Sequence, residues 1–230
     1  LGAAAHFDVR RILSFHIISQ IGYMLLGIAI ATPLAVGGAV LYVIHHIVVK
    51  ANLFLVAGVI NRAGGSYHLK EVGGLYRGFP LIAVLFVIPA LSLAGLPPLS
   101  GFWAKFGVIK ACLDAGHVAL AVTGLAVGLL TLYSMVKIWN EAFWKAPPMQ
   151  AEAAAYRWAS EPATRWLMLV PIAMLGAVTL TIGLWAEPFF DYSLRAGAQL
   201  IDKSAYIDAV FPADVAGRST VLSVDGGMRR

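Results

Sequence analysis

The sequence has few charged residues and a single cysteine, and each scarcity limits what the protein can be. Only 13% of its 230 residues are Asp, Glu, Lys or Arg, against about 25% in an average soluble domain. Because Cys112 is the only cysteine, an internal disulfide and a metal centre made of several cysteines are excluded. GxGxxG and Walker phosphate loops, zinc-ligand spacings and the GxSxG nucleophile motif are missing too. We therefore expect no bound nucleotide, flavin, other cofactor or metal.

Apolar residues dominate what is present, at 60% of the chain. A soluble fold would leave much of this apolar surface facing water, which is costly, so lipid is the simpler solvent. The formal net charge is +5, but the basic residues lie at the ends of apolar segments and form no aromatic-rich patch. That placement orients a membrane protein, and it argues against a nucleic-acid partner.

Five segments contain the roughly 20 mostly apolar residues that a membrane-spanning helix needs. They cover residues 12–31, 37–61, 79–113, 117–143 and 166–186. We predict an all-α, polytopic membrane helix bundle with about five transmembrane segments, one of them discontinuous; long apolar runs without alternation exclude a β-barrel. By composition the chain divides into a boundary segment (1–11), a membrane domain (12–190) and an amphipathic to polar tail (191–230).

Basic residues fall in alternate loops. They precede the first segment and fill the loops after the second and fourth: Arg10, Arg11, Arg62, Lys70, Arg77, Lys145, Arg157 and Arg165. If residues 79–113 cross the membrane once, all of these loops share one side, which we assign to the cytoplasm. The tail then lies on the opposite side, and a short surface helix is predicted over residues 151–159.

Lys50 lies in the middle of the second segment, within YVIHHIVVKANLFLVAG, about three helical turns from either end. Tyr42, His46 and Lys50 are spaced i, i+4, i+8 and share one helix face, with His45 beside them. Ionisable groups inside a membrane usually have a function, and such a column can pass protons through interposed water. Two alternatives remain: static pairing of Lys50 with an acidic group, and a metal site on His45 and His46, whose side chains point about 100° apart.

The third segment is interrupted within PALSLAGLPPLSGFWAKF. Pro97 and Pro98 remove two backbone donors, and Gly95 and Gly101 loosen the helix, so a break at membrane depth is predicted. Broken helices mark ion sites in transporters, and Lys105 directly follows this break. A surface loop with a snorkelling Lys105 and a short hairpin are alternatives, but the charge alternation favours one broken span.

The first segment carries further polar residues: His16 shares a face with Gln20, and Ser19 with Tyr23. They could hydrogen-bond neighbouring helices or take part in conduction. On the third segment, Lys110 lies one to two turns beyond the lysine at the break and could extend the path outward.

Carboxylates that would pair with the buried lysines are missing. Apart from Glu141, near a helix end, no Asp or Glu lies well inside the five segments. Because a lysine that conducts protons usually needs a carboxylate neighbour, we expect the partner to come from another segment or subunit. The chain also begins with Leu1 directly upstream of a membrane segment, so we expect a longer protein.

Three stretches in this order resemble one known family: DVRRILSFHIISQIGYMLLGI, HHIVVKANLFLVAG and LSLAGLPPLSGFWAKF. They look like the second half of the proton-conducting antiporter-like membrane subunits of respiratory complex I and of multisubunit Mrp (Mnh, Pha) cation/proton antiporters. The resemblance covers about residues 7–210. Within this family, the D branch of the Mrp antiporter subunits is most similar to the third stretch and to the later stretch AEPFFDYSLRAGAQLIDKSAYIDAV. This family has inverted five-helix repeats, each with one broken helix, and the chain looks like the second repeat plus a final helix.

The resemblance implies roles for residues of the second and third segments. Lys50 matches the central lysine of the second half-channel, and His46 matches a histidine one turn before it. Lys105 matches the lysine after the broken helix, which links to the exit side. Tyr42 stands where some complex I relatives have a further histidine, so this sequence departs from the pattern there.

Asp8 and Arg10 match a charged pair at the preceding membrane boundary, whereas the first repeat, with its glutamate–lysine pair, is absent from this chain. The resemblance implies a proton-conducting subunit of a Na⁺ or K⁺/proton antiporter, which is a transporter rather than an enzyme. A proton-pumping arm of an NADH–quinone oxidoreductase is the alternative. The implied partners are the lipid bilayer, other subunits of a hetero-oligomeric complex, protons and Na⁺ or K⁺. The implied location is the bacterial inner (plasma) membrane, as a multi-pass protein.

Overall fold

The computed structural model describes residues 2–210 and is helical over most of that length. In chain order the helices are α1 (Gly2–Ala5), α2 (Val9–Ile30), α3 (Pro33–Gly64), a 3₁₀ turn (Leu69–Glu71), α4 (Leu75–Gly78), α5 (Pro80–Ala94), α6 (Ser100–Asp114), α7 (Val118–Ile138, continuing as a π-helical stretch over Trp139–Trp144), α8 (Met149–Ser160), α9 (Pro162–Leu184), α10 (Ala186–Ile201) and α11 (Ser204–Val210). Of the predicted amphipathic to polar tail (191–230), the part from residue 211 onward lies outside the described residues.

Four helices of the described part are long and apolar enough to cross a membrane: α2, α3, α7 with its π-helical continuation, and α9. Helices α5 and α6 supply a fifth crossing in two pieces. The predicted bundle with one broken helix is therefore confirmed. The resemblance also implied a five-helix repeat plus a final helix, and that is one crossing more than residues 2–210 supply.

The two halves of the broken helix run in the same direction. A Cβ on Gly101, at the start of α6, would lie 2.8 Å from His45 Cε1, in the middle of α3. Farther along α6, a Cβ on Gly107 would lie 3.4 Å from the Cα of Gly38, near the start of α3, so α6 is antiparallel to α3. The loop leading to α5 contacts the other end of α3, where Val72 packs. Together α5 and α6 cross once, which rules out a hairpin.

Local sequence signals explain where α3 begins and ends. Thr32 caps the helix by accepting a hydrogen bond from the amide of Ala35, and Pro33 occupies the first turn, where its missing amide proton costs nothing. Gly65 ends the helix in the left-handed conformation at φ 86°. The helix is thus longer at both ends than the predicted 37–61. Its 32 residues span about 48 Å, more than the bilayer core of about 30 Å.

Helix α3 is the centre of the bundle, in contact with α2, α5, α6, α8, α9 and α10. Lipid tails are as apolar as the side chains, so the hydrophobic effect does not drive helices together within the membrane. Close packing through small residues holds such a bundle together instead. Glycines mark these contacts: Gly27 of α2 lies against Ala39, and Gly37 lies against Leu194 of α10. This central position buries the face of α3 that carries Tyr42, His46 and Lys50, while Ile44 and Ile47 remain exposed on the opposite side.

The outward surfaces are apolar, as a lipid-facing surface requires. Ile18 and Leu25 on α2 and Leu129 on α7 are among the large exposed hydrophobic side chains. The loop after α7 contains the helix α8, at the position predicted for a short surface helix; α8 buries Ala154 and Trp158 against the bundle.

Candidate functional site

Lys50 lies in the middle of α3, and its side chain is buried, with 5% of the residue exposed. Its Nζ donates a hydrogen bond to the carbonyl oxygen of Leu13 on α2 at 2.9 Å. The ion pairs found among residues 2–210 do not include Lys50, so the static acidic partner considered above has no candidate there. A buried ammonium is therefore held by a backbone carbonyl alone, with donors to spare.

The two histidines before Lys50 face different neighbours. His45 is fully buried, and its Nδ1 lies 2.8 Å from Ser100 Oγ, at the start of α6. His46 is also buried, and its ring stacks on Tyr42 with ring centroids 6.4 Å apart. The Nε2 atoms of both imidazoles have no hydrogen-bond partner among the described residues. His46 thus continues the Lys50 column as predicted, whereas His45 connects α3 to the broken helix.

Lys105 bridges the two half-helices at the break. Gly95 ends α5 in the left-handed conformation at φ 92°, and α6 begins at Ser100. The Nζ of Lys105, which is buried, donates to the carbonyl oxygens of Leu93 at 2.9 Å and Ala94 at 3.0 Å. The last carbonyls of a helix have no partners within it and carry partial negative charge. The ammonium of the second half-helix therefore caps the first.

Two serines that sequence analysis did not single out connect the half-helices to α3. Ser92 Oγ and Ser100 Oγ are 3.1 Å apart, and the amide of Gly101 donates to Ser92 Oγ at 3.2 Å. Through Ser100 this network reaches His45. A Cβ on Gly101 would collide with the carbonyl oxygen of Ser92. Gly101 is thus needed for close approach in the first turn of α6, not for the interruption, which covers Gly95 to residue 99. The signal available in sequence was a serine on each side of the break.

Two tyrosines fill the space between the lysines. The Nζ of Lys105 lies 5.0 Å from the ring centroid of Tyr23 on α2, and that ring stacks on Tyr42 at 5.2 Å. The hydroxyl of Tyr42 donates to Gln20 Oε1, and Gln20 Nε2 donates to Thr131 Oγ1 at 3.1 Å. The rings of His45 and His46 both lie against the Tyr42 ring, with centroids 5.7 Å and 6.4 Å away, so polar and aromatic groups connect α3 to the break. Lys50 lies one helical turn beyond His46 on the same face of α3.

The remaining predicted residues lie away from this line or at its edge. Lys110 is half-exposed near the outer end of α6, 2.6 Å from Asp114. His16 is buried on α2, and its Nε2 has no hydrogen-bond partner among the described residues. No group of three His, Cys, Asp or Glu side chains with metal-binding geometry comes together within residues 2–210.

Asp8 and Arg10 form the expected pair at the start of α2, with Arg10 Nη2 3.3 Å from Asp8 Oδ2. Asp8 also caps α2 by accepting from the amides of Arg10 and Arg11. Partial burial would raise the pKa of Asp8, but these hydrogen bonds and the charge of Arg10 lower it below the usual range. The pair is thus placed to fix the beginning of α2, the helix whose Leu13 carbonyl accepts the hydrogen bond from Lys50.

Comparison with known proteins agrees with this architecture. A family model described as "NADH:quinone oxidoreductase/Mrp antiporter, TM" matches residues 1–131, which include α2, α3 and both halves of the broken helix. The chain belongs to this family. The antiporter-like resemblance read from the sequence is therefore confirmed.

Relatives of this family member include antiporter and respiratory subunits. The D subunit of the Na(+)/H(+) antiporter of Alkalihalophilus pseudofirmus is 47% identical over 210 residues, which are 91% of this chain and 41% of the relative. The N subunit of the NADH-quinone oxidoreductase of Desulforudis audaxviator is 35% identical over 191 residues, 80% of this chain and 38% of the relative. A chain in the structure of the Mrp complex from a Dietzia species superposes with a TM-score of 0.80 at 36% identity, covering 91% of this chain and 46% of that one. The chain matches the antiporter's D subunit and spans about two fifths of the length of the curated relatives.

Proposed function

We propose that this chain is part of the proton-conducting membrane subunit of a multisubunit Na⁺ or K⁺/proton antiporter in a bacterial inner membrane. One observation carries the proposal: Lys50 and Lys105 are both buried and held by backbone carbonyls, with imidazole and phenol groups between them. The relatives named as D subunits of Na(+)/H(+) antiporters support it. The chain acts in this proposal as part of a transporter, not an enzyme, and its partners are the other subunits of the complex.

Proton transfer along this line requires only that N–H and O–H bonds break and form again as each group passes a proton to the next. The ammonium of Lys50 releases a proton through water to His46 one turn away, and the ring passes it on from its other nitrogen. His45, next along the line, touches the broken helix through Ser100 at 2.8 Å, so protons reach the neighbourhood of Lys105 there. The electrical part of the proton gradient contributes about 2.3 kcal/mol per charge per 100 mV.

Lys105 couples its protonation state to the packing of the broken helix. As an ammonium it donates to two carbonyls at the end of α5, where the helix dipole favours a cation. As a neutral amine it loses the charge-assisted part of that interaction, so α5 and α6 are held together less strongly. The break is thus a place where proton arrival changes helix packing, which is what coupling to a cation requires.

Lys50→Ala in the full-length subunit, assayed within its complex in everted membrane vesicles, tests the relay. We expect cation-dependent proton antiport to be lost while the complex still assembles. Lys145→Ala is the matched control, because Lys145 also donates to backbone carbonyls, those of Leu69 and Lys70, but lies outside the line. Full antiport by an assembled Lys50→Ala complex would rule out the relay.

A proton-pumping arm of an NADH–quinone oxidoreductase is the second candidate, favoured by the 35% identity to the N subunit of such an enzyme. The same residues would then conduct protons, but redox chemistry in other subunits would drive them. Copurification separates the two functions. Small hydrophobic Mrp-type subunits are expected with the antiporter, whereas flavin and iron–sulfur subunits would identify the oxidoreductase.

A further inference from the structure

A small cavity with both apolar and polar lining residues lies between α1, α2 and α7, next to the relay but not part of it. Its volume is about 110 Å³, and its wall includes His16, Ser19, Thr131 and Ser134, with Gly2–Ala4 on the outer side. One water needs roughly 10–15 Å³ of such volume together with polar partners, so this space has room for several waters.

His16 is the buried titratable residue that lines this cavity. It is 3% exposed, and its Nε2 has no hydrogen-bond partner among the described residues. The hydroxyls of Thr131 and Ser134 donate to backbone carbonyls of their own helix, and Thr131 Oγ1 also accepts from Gln20 Nε2, so each oxygen keeps at least one lone pair that can accept from water. Because His16 itself lines the cavity, its ring is the buried titratable group that water in this space would meet.

Two connections lead from the cavity to the relay. The first passes through Thr131, whose Oγ1 accepts from the Gln20 amide that also binds the Tyr42 hydroxyl. The second passes along α2: the carbonyl that holds the Nζ of Lys50 belongs to Leu13, and His16 is the residue at i+3 on the same side of that helix. His16 therefore lies between the cavity and the central lysine.

The cavity faces the side that carries the basic loops. Its outer wall, Gly2–Ala4, precedes Asp8, Arg10 and Arg11 at the start of α2. The Nζ of Lys137, near the end of α7 that precedes the basic loop, donates to the carbonyl of Ala4 and fixes this wall. The basic loops were assigned to the cytoplasm, so the cavity lies in the cytoplasmic half of the bundle, directly behind this wall.

We propose that this cavity is a water-filled vestibule and that His16 exchanges protons between the cytoplasmic side and the Lys50 relay. One ring nitrogen of His16 takes a proton from a vestibule water as the other releases one toward the relay, so only N–H and O–H bonds are exchanged. The inference rests on the proposed function, because it supplies one access route for the relay.

Thiol labelling tests the vestibule without relying on transport. In a Cys112→Ser background, the full-length subunit in its complex would carry His16→Cys or Ser134→Cys, and a membrane-impermeant methanethiosulfonate would be added to everted vesicles. Ile18→Cys is the matched control, since Ile18 lies on the same helix and is 69% exposed toward lipid. We expect both vestibule variants to react at least about tenfold faster than the control, because the thiolate that reacts needs water. Rates equal to the control at both positions, or reaction only in right-side-out vesicles, would overturn the vestibule.

The role of His16 is tested by His16→Ala and His16→Asn in the same vesicles. A positioned proton carrier contributes a factor of about 10²–10⁴, so we expect antiport to fall by about tenfold or more even if water partly bypasses the residue. Unchanged antiport would overturn this role. Normal activity of Lys50→Ala would instead defeat the proposed relay, while the labelling result would still decide whether the vestibule exists.

Discussion

The Nζ of Lys105 lies 2.9 Å from the carbonyl oxygen of Leu93, across the break in the third membrane crossing. A side chain of α6 thereby satisfies the free carbonyls of α5, which would otherwise be orphaned in a region with little water. The same group is the second buried lysine of the proposed relay. Structure and conduction therefore depend on one ammonium, and this dependence can be tested.

Replacing Lys105 with methionine should both stop antiport and destabilise the protein. The loss of hydrogen bonds from a charged donor corresponds to about 1.5–3 kcal/mol. Thermal unfolding of the detergent-purified complex should therefore shift to lower temperature. Lys110→Met, on the same helix, removes only an exposed ion pair with Asp114, for which about 0–1 kcal/mol is expected. Equal unfolding temperatures for the two variants would contradict the capping role of Lys105.

Gly101→Ala should destabilise the junction of the two half-helices. The added Cβ would collide with the carbonyl oxygen of Ser92 and approach His45, so α6 must move away. Overpacking of this kind costs about 1–3 kcal/mol. Gly22→Ala is the matched control, because Gly22 is also in a membrane helix and has no atom within 4 Å of the added Cβ. If both variants unfold at the same temperature as the parent, the close contact at the break does not hold the two half-helices together.

Ser100→Ala should slow antiport while leaving the complex assembled. This change removes the partner of His45 Nδ1 at 2.8 Å and one link to Ser92. A lost neutral hydrogen bond corresponds to about 0.5–1.5 kcal/mol, so up to about a tenfold lower transport rate is expected. Ser14→Ala, which removes an exposed hydroxyl bonded to its own helix, should leave the rate unchanged. A parental rate in Ser100→Ala would show that His45 does not need this contact.

Asp8 should make the start of α2 sensitive to acid. Its hydrogen bonds hold the carboxyl pKa below the usual value, so its stabilising contribution is present above the unfolded-state pKa of about 4. That contribution is lost as the pH falls through the lower folded-state pKa. Asp8→Ala should cost about 1 kcal/mol near neutral pH. Unfolding temperatures of parent and variant, measured between pH 3 and pH 7, should converge at the acid end, and a constant difference would contradict this assignment.

The membrane architecture could be predicted from sequence because apolar length and loop charge are local properties. The crossings need only about 20 apolar residues each, and Pro97 and Pro98 alone force an interruption. The column of Tyr42, His46 and Lys50 follows from helical periodicity within α3. The family could likewise be recognised from three contiguous stretches of sequence. None of these conclusions depends on which helices are neighbours.

Contacts between helices were decided only by the tertiary structure. Helical period places His45 beside the column, but the packing of α6 against α3 determines that it meets Ser100. Spacing places Lys105 after the break, yet only the position of the start of α6 beside the end of α5 brings its ammonium to the Leu93 carbonyl. In lipid, helix pairing depends on close-packed small residues and few polar contacts, and these depend on the whole bundle rather than on local sequence.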